Sequence, residues 1–87
     1  AGPMTGRPGY NRAAFAAAEQ RLRKKGHKVL NPGCLPADLP DRAYMPICLA
    51  MLQQAAGIYL LEGYQDSPGA MLELAYARRQ GLEIIKE

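Results

Sequence analysis

Apolar positions along this chain fall in short groups, and their spacing switches between the helical and the strand period. Between Asn11 and Lys25 they recur at Phe15, Ala18 and Leu22, a narrow stripe at helical spacing, with Asn11 placed to cap the start and Gly26 to end it. His27 to Asn31 holds Val29 and Leu30 and stops at Pro32, the pattern of a short strand. A second helix is predicted through Ile47, Leu49, Met51 and Leu52 to about Ala56, apolar over much of its circumference and therefore well buried. Its start has two solutions, because Pro46 would remove an intrahelical bond if Asp41 were the cap. Either a short turn over Asp41 to Tyr44 precedes a helix from Pro46, or the helix kinks there. Gly57 ends it. Ile58 to Leu61 is too short for a helix and reads as a strand buried on both faces, and Leu82 to Ile85 gives a final strand.

The stretch between those last two strands, Asp66 to Gly81, is DSPGAMLELAYARRQG. Ser67 suits the N-cap, Pro68 the first helical position and Gly81 the stop, while Asp66 sits at the positive end of the helix dipole. A capping-box glutamate would fall at Ala70, so Glu73 lies one turn too deep to serve the helix end. At helical spacing Glu73 shares its face with Gly69, Ala70, Tyr76, Ala77 and Gln80, whereas Met71, Leu74 and Ala75 point the other way. A carboxylate on a face of small residues is open to close approach, which makes Glu73 the candidate chemical residue. The bland alternative is a solvated glutamate on an outer helix face.

After an opening loop, the order is helix, strand, helix, strand, helix, strand. Such alternation with short connections predicts parallel strands joined by right-handed crossovers, hence one α/β domain over residues 1–87, a three-layer α/β/α sandwich. Ligands of such sheets sit at the carboxyl ends of the strands. Glu62 to Ser67 falls there, and so does Ala1 to Arg7 if a strand precedes it. The opening AGPMTGRPG is too rich in Gly and Pro for a helix or strand interior. Loops of this kind leave a strand, so either the natural chain begins before Ala1, or an initiator methionine has been removed and the loop is the true terminus. Thr5, Gly6 and Arg7 offer a hydroxyl, an unhindered N–H and a guanidinium that suit an anionic group; a mobile surface loop is the alternative.

Eighty-seven residues leave room for one core and one site. No apolar run approaches a membrane span, and there is no signal peptide, low-complexity tract or repeat. Cys34 and Cys48 lack zinc-type spacing and read as reduced thiols of a cytoplasmic protein without a metal site; His27 reads as a strand-edge residue. The net charge is +3, but Arg21, Arg23, Lys24, Lys25 and Lys28 hold 5 of the 11 basic residues, mostly at a helix C-terminus where cations complement the dipole. Without interleaved aromatics this argues against a nucleic-acid polymer as partner.

Four segments, AGPMTG, LNP, GIYLLEG and DSPGAMLELAYARRQGLEII, together resemble the nucleoside 2-deoxyribosyltransferase-like superfamily, most closely its small phage and prophage members. The likeness covers nearly the whole chain. Its most specific part is an acid, a loop, a Gly and then Glu-Leu-x-x-Ala, ending in a Gly before an apolar strand. The resemblance implies a flavodoxin-like parallel sheet whose first, central strand ends at the AGP loop, a strand missing from this chain. A sheet lacking its central member exposes two edges, so a homo-oligomer is expected.

The resemblance further implies that Glu73 is a nucleophile. It would attack the anomeric carbon of a 2-deoxynucleoside, expel the base and leave a glycosyl-enzyme for a second base or water; a helix N-terminus would keep the carboxylate ionised. Asp66 matches an acid of the family's loop, Ser67 a position that contacts phosphate in nucleotide-hydrolysing members, and Gly2 and Pro3 a loop lining the sugar pocket. With Thr5, Arg7, Tyr10 and Gly69 these form the expected substrate-binding set, and Glu73 is expected to open on a cleft between the two loops, near Asp66 and the Tyr10 hydroxyl. No cofactor is expected. The places where several of the enzymes carry an Asp that assists the leaving base hold Cys48, Ala56 and Gly57, which leaves Asp66 as the available acid. Three functions follow: an N-glycosidic transferase or hydrolase, a binding module for a nucleoside or nucleotide without turnover, and a small interaction scaffold. In the first two the partner is a small molecule, with no membrane involved.

Overall fold

Ser67 sets the best-defined helix start in the chain, its hydroxyl accepting a hydrogen bond from the Ala70 N–H at 3.1 Å with Pro68 in the first turn. Gly81 stops that helix in the left-handed conformation, φ 72°. The computed structural model describes residues 1–87, with helices α1 (Arg12–Lys24), α2 (Asp41–Gln53) and α3 (Pro68–Gln80) and strands β1 (Gly57–Leu60) and β2 (Glu83–Lys86). Short 3₁₀ turns cover Pro8–Asn11, Pro32–Cys34 and Tyr64–Asp66. β1 and β2 pair in parallel, Gly57 with Glu83 through to Leu60 with Lys86, and α3 connects them.

Alternate residues of β1 serve two cores. Ile58 and Leu60 pack with Leu52 of α2 and with Leu74 and Ala77 of α3, while Leu61 packs with Phe15 and Ala18 of α1, with Tyr59 against the same group. Phe15 and Ala18 are the two buried residues of α1, the front of the stripe read from the sequence. At the other end of α1, Arg21 reaches Glu87 beyond β2, and Arg23 pairs with Glu19 at 2.7 Å. Two of the basic residues clustered there thus already have acidic partners.

Four sequence expectations change. First, His27 to Asn31 is not a strand: Lys28, Val29 and Leu30 make no backbone hydrogen bonds, and a strand exists only as part of a ladder. The parallel sheet therefore has two of the three predicted strands. Secondly, α2 is a single helix from Asp41 with Pro46 inside it. The bond that Pro46 cannot make would have gone to the Arg42 carbonyl; both residues are exposed, so water can take its place. Only Leu52 of α2 is buried, because one side of the helix borders an open groove. Thirdly, Leu74 lies with Ala70 and Ala77 in the buried stripe of α3 rather than opposite Glu73, and Met71 and Leu72 are exposed instead. Fourthly, Asn11 precedes α1 in the left-handed conformation, φ 60°, without capping it. Its side-chain amide donates to the Pro3 carbonyl at 2.9 Å and ties the opening loop to the helix.

Candidate functional site

Where β1 ends, the opening loop meets it. The Ala1 ammonium donates to the Tyr59 carbonyl at 2.6 Å, and the Leu61 N–H donates to the Ala1 carbonyl at 2.8 Å. These are the two bonds by which one residue of a parallel strand straddles its neighbour, here Ala1 beside Leu60. The contact requires glycine next: a Cβ on Gly2 would stand 2.8 Å from the Cβ of Leu61. Farther along, Gly63 turns with φ 84°, and its position faces the Arg7 guanidinium and the Pro3 ring at 3.3 and 3.5 Å from an added Cβ. Arg7 also reaches Asp66 at 3.7 Å. The segments Ala1 to Arg7 and Glu62 to Ser67 thus form one rim.

Glu73 does not open on a cleft between those two loops: it lines a groove of about 780 Å³ alongside β1, to which the opening loop contributes Ala1 alone and Glu62 to Ser67 contributes nothing. Its apolar walls include Phe15 and Leu22 of α1, Val29, Met51 of α2 and Ile58 of β1. Ala1, Cys48 and Glu73 bring its chemistry, from the opening loop, the middle of α2 and the second turn of α3. Burial raises the Glu73 pKa above the usual carboxylate range, with the Ala1 ammonium partly offsetting it. Burial likewise lowers the pKa of the Ala1 ammonium, opposed by Glu73 and then Cys48. Cys48 is pushed up to about 11, by burial first and then by the Glu73 carboxylate, so its thiol keeps its proton at neutral pH. The helix N-terminus therefore does not dominate Glu73; desolvation does.

The other expected site residues are placed differently. Asp66 is outside the groove, 77% exposed and turned toward Arg7, so it does not line the space that Glu73 faces. Tyr10, 49% exposed, sits in a left-handed turn that carries its ring outward, also outside the groove. Thr5 is exposed, and Pro3 is buried under the rim. The Ser67 hydroxyl is engaged in capping α3. A Cβ on Gly69 would stand 3.1 Å from the Met45 methyl, which makes this glycine a point of close approach between α3 and α2. Sequence reasoning did not single out Cys48 or the Ala1 nitrogen as groove groups. Cys48 stands one helical turn before the buried Leu52, a spacing that could have placed it on the inner side of α2.

No curated protein and no solved structure matches the chain. A family profile matches residues 1–86. On that coverage, the chain belongs to the family described as a domain of unknown function, DUF4406.

Proposed function

We propose that the chain binds a nucleoside or nucleotide at the carboxyl edge of β1 and cleaves or transfers its N-glycosidic bond, with Glu73 as nucleophile, on a flavodoxin-like three-layer framework. The observation that carries this reading is the Glu73 carboxylate, half-buried on a groove that is large enough for such a ligand and that Ala1 of the opening loop also lines. A carboxylate oxygen bonds to the anomeric carbon as the carbon–nitrogen bond breaks, and the departing base takes the bonding pair and a proton from solvent water. Water or a second base then displaces the carboxylate. Partial desolvation strengthens the interaction of the carboxylate with the cationic sugar of the transition state. The same desolvation raises the Glu73 pKa, which favours activity above the usual carboxylate range.

A second reading, binding without turnover, draws support from Asp66. This acid is exposed and paired with Arg7, and the other carboxyl groups that line the groove besides Glu73 are Glu19, which is held by Arg23 and Asn31, and Glu83. Incubation with a panel of deoxynucleosides and deoxynucleotides, assayed for released base, separates the two. Release by the native chain that is lost in Glu73→Gln supports the enzyme. Calorimetric binding without release supports the binding module. Neither binding nor release rules out both and leaves the scaffold.

A further inference from the structure

We propose that the outer face of α3 is the surface on which two copies of the chain associate, the two helices packing antiparallel about a two-fold axis beside Leu72. The face follows from the helical period. Ala70, Leu74 and Ala77 turn one side of α3 into the core. Opposite them, at about 100° per residue, stand Pro68, Met71, Leu72, Ala75, Arg78 and Arg79, and all of these are exposed. Leu72 is 52% and Met71 40% exposed, and the two lie side by side on this face with the small Ala75 one turn on. The sheet is on the other side of α3. A further strand on either edge of it would therefore lie behind Ala70, Leu74 and Ala77 and leave the outer face as it is.

Charge identifies the occupant. The exposed Asp66 precedes the first turn of α3, apolar positions hold its middle, and Arg78 and Arg79 lie in its last turn. Neither arginine pairs with an acid of its own chain, and Asp66 meets Arg7 only at 3.7 Å, beyond hydrogen-bond distance. A strip that is acidic at one end, apolar in the middle and basic at the other complements itself when turned end over end, which is the condition for an isologous contact. Arg78 follows Leu72 by the same number of residues as Asp66 precedes it. Setting Leu72 against its own copy therefore brings Arg78 of each chain level with Asp66 of the other, with Arg79 one residue beyond. Ala75 leaves room for the facing leucine. One pair of helices of 13 residues covers less area than a standard interface, so the association is weak, with a dissociation constant on the order of 100 μM. The contact uses neither Glu73 nor the groove, and it stands or falls apart from the function proposed above.

Sedimentation velocity and amide NMR of the full chain, from about 10 μM to about 1 mM so as to span that constant, read the association. A monomer that becomes a dimer is expected, with concentration-dependent amide shifts clustered on Met71, Leu72 and Ala75 rather than on Val29 or Tyr59. Leu72→Glu replaces an exposed side chain by another good helix former, so the fold should hold while dimerisation weakens at least about tenfold. Charge reversal supplies the second arm. Asp66→Arg by itself, and Arg78→Glu with Arg79→Glu by themselves, should each give a monomer, because like charges then meet at both ends. A mixture of these two variants should form a heterodimer, since each meets in the other the opposite charge that its own copy lacks. A native chain that stays monomeric at the highest concentration, a dimer of unchanged strength in Leu72→Glu, shifts confined to the groove, or a mixture no more associated than its components would each overturn the proposal.

Discussion

Glu73, Cys48 and the Ala1 ammonium line one groove and are each partly buried, and burial favours the uncharged form of each. For Glu73 the consequence can be given a sign. Below its ordinary value of 4.5 the carboxyl is protonated folded or unfolded and makes no pH-dependent difference; as pH rises through the raised folded value, only the folded state faces an unfavourable ionisation. Stability from this group is therefore full below 4.5 and falls as pH rises through the folded pKa. In Glu73→Gln that decline should be absent, so the variant should gain stability relative to the native chain between pH 4.5 and neutrality, as read from urea midpoints at a series of pH values. An identical pH profile for the two proteins would contradict the burial of this carboxylate. Cys48 gives an independent reading. At pH 8.5 a thiol reagent should modify the exposed Cys34 well before Cys48, and Glu73→Gln should accelerate Cys48, because a neighbouring negative charge no longer opposes the thiolate. Equal rates for Cys48 with and without the Glu73 charge would show that the two do not share one field.

Among the elements, α3 and the strands that it joins were the most legible in the sequence, and α2 the least. Ser67, Pro68 and Gly81 act within their own turns, so local chemistry fixes the ends of α3 whatever packs against it. The apolar runs of β1 and β2 were equally readable, and their parallel pairing followed from a crossover helix of 13 residues. The segment from Lys28 to Leu30 has the composition of a strand, but pairing is a tertiary fact that no local pattern encodes. The candidate site was half legible for the same reason: helix position singled out Glu73, which lines the groove, but the place of Asp66 depends on Arg7, far away in sequence. Pro46 shows a tertiary override of propensity, since α2 starts at Asp41 and passes through it. Pro46→Ala restores one N–H that can donate to the Arg42 carbonyl, and should stabilise the chain by about 1 kcal/mol, the typical value of a helix hydrogen bond, less the entropy that proline removes from the unfolded state. Urea titration decides it: a lower midpoint in the alanine variant would mean that the proline ring supplies packing that outweighs the bond.

At the scale of the whole molecule, β1 has one side paired with β2 and one open side, and this asymmetry should be visible in solution. The amides of Ile58 and Leu60 face β2 within the ladder, and both side chains are buried in the larger core. Opening them requires separating β1 from β2 and from α3, so their hydrogen exchange should approach the global limit. The Tyr59 amide, one residue away from each, faces the groove, and the amides of Lys28 to Leu30 line it without backbone partners. These should exchange within about tenfold of free-chain rates, since no cooperative unit has to open first. Alternation of fast and slow amides inside a strand of four residues is hard to produce by fraying, which would grade smoothly from the ends. Exchange followed residue by residue at two protein concentrations therefore tests the architecture directly. Fast exchange at Tyr59 and Val29 at both concentrations is the expected result. Protection of those amides equal to that of Ile58 and Leu60, rising with concentration, would instead mean that another copy of the chain fills the groove and completes the sheet.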